Sequence, residues 1–164
     1  LKINKDIQFM RAMPNTSSKF NLGITAIFNA TFKEGNLKKV KKLFKNVGIV
    51  LELDKENKID VFTGMIGSGP AYFFYLLKSY QKKLMYLCHS DQKMVNDVMV
   101  NLIKGVGSSI EHNQDLDELI TAVASKRGTT EAGLNSFKSL KLNKSFEDGI
   151  NAAIQRSKEI SNEF

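Results

Sequence analysis

Gly67-Ser68-Gly69-Pro70-Ala71-Tyr72 divides this sequence of 164 residues into two regimes. Before it, short β-rich apolar runs flank one amphipathic segment. After it, every periodic run has helical spacing. Two glycines and a serine end the first regime, and Pro70 stands where a helix would begin. Proline suits a first helical turn because its φ is already helical and its missing N–H would have had no partner there. From Ala71 the apolar positions Phe73, Leu76, Leu77, Tyr80, Leu84 and Leu87 keep three-and-four spacing. Taken alone, the stretch reads as a domain junction and a helix start.

Upstream, Ile7 to Met13 reads as a strand stopped by Pro14-Asn15-Thr16, and Gly23 to Ala30 as a second. Asn36 is the expected N-cap of a lysine-rich helix, and Gly48 its expected C′ residue. Ile49 to Leu53 is a third strand. Strand–helix–strand order is the texture of an α/β sheet, though three strands and one helix cannot cover both faces of one. Leu1 to Asp6 starts abruptly, without methionine or cap. Asp54 to Lys58 is a charged turn, and Ile59 to Ile66 a short helix leading into the glycine break.

Downstream, Ser90 is the expected N-cap of a helix carrying Met94, Val95, Val98, Met99, Leu102, Ile103, Val106 and Ile110. A stripe this long and apolar packs against several helices or against a second subunit. Asp115 opens a short helix with Leu116, Leu119, Ile120 and Val123. The chain breaks at Ser125 to Thr130 before a helix bearing Glu131, Ala132, Leu134, Phe137 and Leu140. Ser145 is the expected cap of the last helix, whose inner face is Phe146, Ile150, Ala153, Ile154 and Ser157.

The totals bound the function. A single cysteine, Cys88, excludes an internal disulfide and fits a reducing compartment. It sits in an apolar helix pattern and reads as packing rather than as a nucleophile. No apolar run approaches the roughly 18 residues of a membrane span, and no signal-peptide core is present, so the cytoplasm is the expected location. The net charge is +7, and the basic residues are scattered except between Asn36 and Lys45. There the lysines alternate with Leu37, Val40, Leu43 and Phe44, which reads as the solvated face of an amphipathic helix. No aromatic interleaving supports nucleic acid as a partner.

Chemistry has few candidate homes. His89 and His112 are isolated, so no metal site is expected. There is no Walker loop and no G-x-G-x-x-G, and Gly64 to Gly69 only superficially resembles the latter. The Ser125 to Thr130 loop is different: it joins two basic side chains, a glycine and two hydroxyls to a helix N-terminus. Free N–H groups and the helix dipole there favour an anion such as a carboxylate or phosphate. Thr129 or Thr130 acting merely as a helix cap is the other reading.

Three stretches together resemble the pyrroline-5-carboxylate reductase family. They are Arg11-Ala12-Met13-Pro14-Asn15-Thr16, Gly67-Ser68-Gly69-Pro70-Ala71-Tyr72 and Gly128-Thr129-Thr130-Glu131-Ala132-Gly133-Leu134. The closing Arg156-Ser157-Lys158-Glu159 is similar too. The resemblance implies α+β content: a partial Rossmann segment followed by an all-α dimerisation domain. Residues 1–58 would be the C-terminal remnant of an NAD(P)-binding domain, and residues 59–164 the helical substrate-binding and dimerisation domain. It implies NADPH or NADH as cofactor, with the main binding fingerprint absent from this sequence, as in a fragment, a split product or a degraded gene. It implies reduction of 1-pyrroline-5-carboxylate to L-proline, with Gly128, Thr129 and Thr130 holding the substrate carboxylate and Thr130 serving catalysis. Met13, Pro14 and Asn15 would lie near the nicotinamide. A homodimer through the helical domain is implied, and a higher oligomer is compatible with it. The alternative is a non-catalytic helical module that kept the fold and lost the chemistry. Ile66, Lys78 and the run Tyr80-Gln81-Lys82 depart from the family pattern. Lys78 replaces a usual glutamate and reverses a charge near the expected pocket.

Overall fold

A computed structural model describes residues 7–163. The expectation for Leu1 to Asp6 lies outside the described residues. The chain forms two compact units, Leu1–Tyr72 with Glu147–Phe164, and Phe73–Phe146.

The first unit is built on a three-stranded sheet of β1 (Met10–Pro14), β2 (Gly23–Asn29) and β3 (Gly48–Leu53), in the order β1-β2-β3. The central strand β2 pairs antiparallel with β1, Met13 opposite Ala26, and parallel with β3, Ile24 opposite Ile49. A parallel pair needs a crossover, and α1 (Glu34–Lys45) supplies it. The expected strand–helix–strand order is therefore one parallel unit. The first strand is shorter than expected and runs the other way. Being central, β2 is continuously buried at Thr25, Ala26 and Ile27. The lysine face of α1 is solvated: Lys38, Lys39, Lys42 and Lys45 are exposed, while Leu37, Val40 and Phe44 are half-buried.

Two expectations about α1 are corrected. Its N-cap is Lys33, not Asn36, whose side-chain amide instead donates to Gln8 Oε1 at 3.0 Å. Its C-cap is Asn46, and Gly48 opens β3 rather than closing the helix. Gly48 is glycine for two reasons: its φ is +146°, and an added Cβ would lie 1.9 Å from the Gly23 carbonyl oxygen.

After β3 the chain turns through α2 (Lys58–Phe62) into one π-helical turn, Thr63–Gly67, and then α3 (Gly69–Leu87). The expected short helix is thus α-helical only at its start. Ile59 and Phe62 of α2 are buried. All of α7 (Leu142–Asn162) from Glu147 onward belongs to this unit and approaches the π turn closely: an added Cβ on Gly64 would stand 2.6 Å from the Ile154 backbone nitrogen. The α7 residues expected to form its inner face, Phe146, Ile150, Ala153, Ile154 and Ser157, are all half-buried. Ser145 lies inside α7 rather than capping it, because the helix already starts at Leu142 after Lys141 turns left-handed at φ 55°.

The second unit holds the rest of α3 with α4 (Gln92–His112), α5 (Leu116–Val123), α6 (Thr129–Ser139) and the first turn of α7. Between α3 and α4, His89 and Ser90 take positive φ, and Asp91 accepts from the Met94 amide as N-cap. Ser90 is therefore part of the reversal, not the cap. Asp115 caps α5 as expected, accepting from Asp117 and Glu118. Within α4 only Val95 is buried, with Val98 and Met99 half-buried. From Asn101 to His112 every residue is exposed, so Leu102, Ile103, Val106 and Ile110 form an apolar stripe that no described residue buries. Among the described residues no helix is long and apolar enough to cross a membrane.

Candidate functional site

In the first unit the turn after β1 is held by Asn15. Its backbone N–H donates to the Ile24 carbonyl at 3.1 Å, and its Oδ1 accepts the Ile24 amide at 3.0 Å. Pro14 has no N–H to offer the ladder, and the Asn15 side chain continues it for one more step. A proline here is tolerated because it ends an outer strand of the described sheet. Met13, on the same turn, is half-buried, and an added Cβ on Gly67 would stand 3.5 Å from its Cε. Folding therefore brings Met13 and the glycine break, far apart in sequence, side by side.

The break itself has a defined geometry. The Ser68 N–H goes to the Thr63 carbonyl at 2.9 Å, five residues back. The Gly64 carbonyl, displaced from the α-helical ladder, accepts the Tyr72 hydroxyl at 2.7 Å. Single turns of this wider kind inside helices are frequent at functional sites. The sequence marks Tyr72 as part of the motif, but nothing in spacing alone assigns its hydroxyl a partner.

In the second unit, α6 starts at Thr129 with Gly128 as N-cap in extended conformation and no side-chain capping bond. Neither Thr129 nor Thr130 thus occupies the capping position, and the capping reading of these threonines is corrected. They are the first two helical residues, where backbone N–H groups point away from the helix. Thr130 and Gly128 are half-buried and Thr129 is exposed. The loop before them is tight: Gly128 N–H donates to the Ser125 carbonyl at 2.9 Å, and a Cβ on Gly128 would lie 2.2 Å from Ser125 Oγ. Arg127 holds φ at 59°, and its N–H donates to Glu131 Oε2 at 2.5 Å. This Glu131 bond does leave a signal in the sequence, an acidic residue three places after the N-cap, as in a capping box.

Met13, Pro14, Asn15 and the glycine break thus share one unit, while Gly128, Thr129 and Thr130 lie in the other. Cys88 is half-buried just past α3, and His112, the last residue of α4, has its Nδ1 2.8 Å from the Ser108 carbonyl one turn back. Among the described residues no three His, Cys, Asp or Glu side chains are placed to hold a metal. Lys78 and Tyr80 are exposed on α3, and Ile66 is half-buried.

Residues 56–160 match the family model described as pyrroline-5-carboxylate reductase dimerisation. The chain is 32% identical over 164 residues to the pyrroline-5-carboxylate reductase of Staphylococcus saprophyticus, covering 99% of this chain and 60% of that protein. It is 34% identical over 154 residues to that of Staphylococcus aureus, covering 93% of this chain and 56% of that protein. The chain therefore spans about 60% of the length of these relatives. Among solved structures, a pyrroline-5-carboxylate reductase from Coxiella burnetii superposes with a TM-score of 0.85 at 27% identity, covering 95% of this chain and 58% of that one. A pyrroline carboxylate reductase from Plasmodium falciparum, with NADP bound, superposes with a TM-score of 0.85 at 23% identity, covering 95% of this chain and 63% of that one, a likeness of fold.

Proposed function

Because this chain belongs to the pyrroline-5-carboxylate reductase dimerisation family, we propose that it is the substrate-binding and dimerising part of an NAD(P)H-dependent reductase that turns 1-pyrroline-5-carboxylate into L-proline. The observation that carries this reading is the extent of the family match, residues 56–160, which takes in both the glycine break and the Gly128–Thr130 helix start. Residues 1–58 are then the end of a Rossmann domain and residues 59–164 the helical domain. The protein works in the cytoplasm as a homodimer, with assembly beyond the dimer compatible with the same surface. Neither nucleic acid nor a membrane is a partner.

In this reading the ring carboxylate rests on the backbone N–H groups at Gly128, Thr129 and Thr130, with the Thr130 hydroxyl as a further donor. Preorganised N–H groups suit a carboxylate because their dipoles are already aimed at it. Glu131, by holding the Arg127 amide, keeps the loop in the one shape that presents them. Met13, Pro14 and Asn15 face the nicotinamide, which supplies the hydride for the C=N carbon when NADPH or NADH is bound. The residues present fit only this end of a dinucleotide, since the sequence contains no G-x-G-x-x-G to grip a pyrophosphate. NADP bound to the Plasmodium falciparum relative supports the cofactor class.

A non-catalytic helical module is the second reading, favoured by Lys78, a positive charge where the family has a glutamate. Titration of L-proline into the chain separates the two. Saturable heat is expected from the substrate-binding domain, and its absence would favour the non-catalytic module. In an absorbance assay with pyrroline-5-carboxylate and either NADH or NADPH, this chain by itself is expected to give no measurable turnover. Hydride transfer needs reacting atoms held about 3–3.5 Å apart, and the pyrophosphate grip that would hold them is not in the sequence. Clear turnover would reveal a nucleotide site elsewhere in these residues.

A further inference from the structure

We infer that Asp60 is a positioning residue: its buried carboxylate locks α7 onto α2 and thereby fixes the π turn that sets Gly67 against Met13. Asp60 is 8% exposed. Its Oδ1 accepts two hydroxyl hydrogen bonds, from Ser157 Oγ at 3.0 Å and from Ser161 Oγ at 2.6 Å. No lysine or arginine among the described residues pairs with it. A carboxylate taken out of water must be hydrogen-bonded, and bonds to an ionised acceptor are the stronger kind.

The two serines stand one helical turn apart, so both face the same side of α7. Rotating α7 by one residue, about 100°, would carry both hydroxyls away from Asp60. The pair therefore admits one register of α7 against α2. Ile154, one turn before Ser157, is held in that register where its backbone nitrogen leaves room for a glycine and nothing larger at position 64. From Asp60 the chain runs directly into the π turn: Thr63 Oγ1 donates to the Ile59 carbonyl at 2.8 Å, and Ser68 N–H to the Thr63 carbonyl at 2.9 Å. The turn ends at Gly67 beside Met13. The functional weight of this series of bonds rests on the reading that Met13, Pro14 and Asn15 face the nicotinamide. The mechanical claim does not.

Amide hydrogen exchange on the full chain, without substrate or cofactor, tests it. In Asp60→Ala, and separately in Ser157→Ala with Ser161→Ala, the Ser68 amide should exchange about tenfold faster or more, as expected when hydrogen bonds to a charged acceptor are removed. Amides of α1 and β3 should keep their rates, because neither element bonds to Asp60, Ser157 or Ser161. Asp60→Asn keeps an oxygen acceptor and should return Ser68 close to its original rate. Unchanged exchange at Ser68, equal acceleration throughout the sheet, or an Asp60→Asn chain behaving like Asp60→Ala would overturn the inference. If Asp60→Ala does not fold, the double serine variant gives the same reading. The outcome is independent of whether the chain binds proline, so failure here leaves the proposed function standing.

Discussion

Tyr72 donates its hydroxyl to the carbonyl oxygen of Gly64 at 2.7 Å, and this bond closes the gap that the π turn opens. In an α-helix the Gly64 carbonyl would take the Ser68 N–H, which here goes to Thr63 instead. The aromatic hydroxyl, on the first turn of α3, takes its place. Tyr72→Phe removes this donor and leaves a partly buried carbonyl unsatisfied. It should cost about 1–3 kcal/mol, read as a lower midpoint of urea unfolding with the slope unchanged.

Two alanine substitutions at glycines should behave oppositely. A methyl group at Gly64 meets the backbone of Ile154, which cannot rotate away, so Gly64→Ala should destabilise by about 1–3 kcal/mol or more. At Gly35, in the first turn of α1, nothing lies within 4 Å of an added Cβ. Gly35→Ala should be neutral or stabilising by up to about 1 kcal/mol. Thermal unfolding of the two variants side by side checks the contrast.

The uncovered half of α4 predicts the assembly. Leu102 is 41% exposed, Ile103 47% and Val106 50%, in a helix anchored earlier by the buried Val95. Contiguous apolar surface of this kind marks an interface. Sedimentation of the unmodified chain should give a dimer, and Val98→Asp combined with Leu102→Asp should give monomer or loss of fold. A folded monomer of the unmodified chain at micromolar concentration would count against the dimer.

At the helix start of α6, Thr130→Ala removes one hydroxyl donor while Gly128 keeps the N-cap. A hydrogen bond to a charged group is worth on the order of 1.5–3 kcal/mol. Proline affinity should therefore fall roughly ten- to a hundredfold. Equal affinities by calorimetry would remove Thr130 from the substrate site.

Asp54 provides a pH prediction. Its hydrogen bond from Lys58, 2.6 Å away, holds the carboxyl below its ordinary value. A depressed carboxylate contributes stability above its unfolded-state pKa and loses it as pH falls through the lower folded value. The group is exposed, so the effect on stability is small and salt-sensitive. Lys58→Met should move the Asp54 titration midpoint upward in a carboxylate NMR titration, as should added salt.

Helix caps show where sequence reasoning loses its footing. Asn36, Ser90 and Ser145 are all good capping residues, and none of them caps. Asn36 is drawn to Gln8, 28 residues away, Ser90 yields to Asp91, and Ser145 is overrun by a helix that begins earlier. A cap is decided by a balance of about 1 kcal/mol among adjacent residues, and a single tertiary interaction tips it. Apolar periodicity averages over many residues and is harder to displace, which is why the inner face of α7 and the helical regime after Pro70 are legible in the sequence.

By itself the sequence determined the α+β content, the β2–α1–β3 unit, the helix start at the glycine break and the family to which those motifs belong. The first three follow from spacing and from backbone chemistry local to Gly, Pro and the apolar periods, and the family from the resemblance of the motifs themselves. Only the tertiary structure decided that β1 runs antiparallel, that a π turn leads into α3, that Met13 meets Gly67, and that Asp60 meets Ser157 and Ser161. The Asp60 bonds join residues 97 and 101 apart and Met13 meets Gly67 across the sheet and α2, while the β1 direction and the π turn are settled by how nearby segments pack. Their partners are selected by packing and by the need to satisfy buried polar groups, and neither leaves a periodic trace in one dimension.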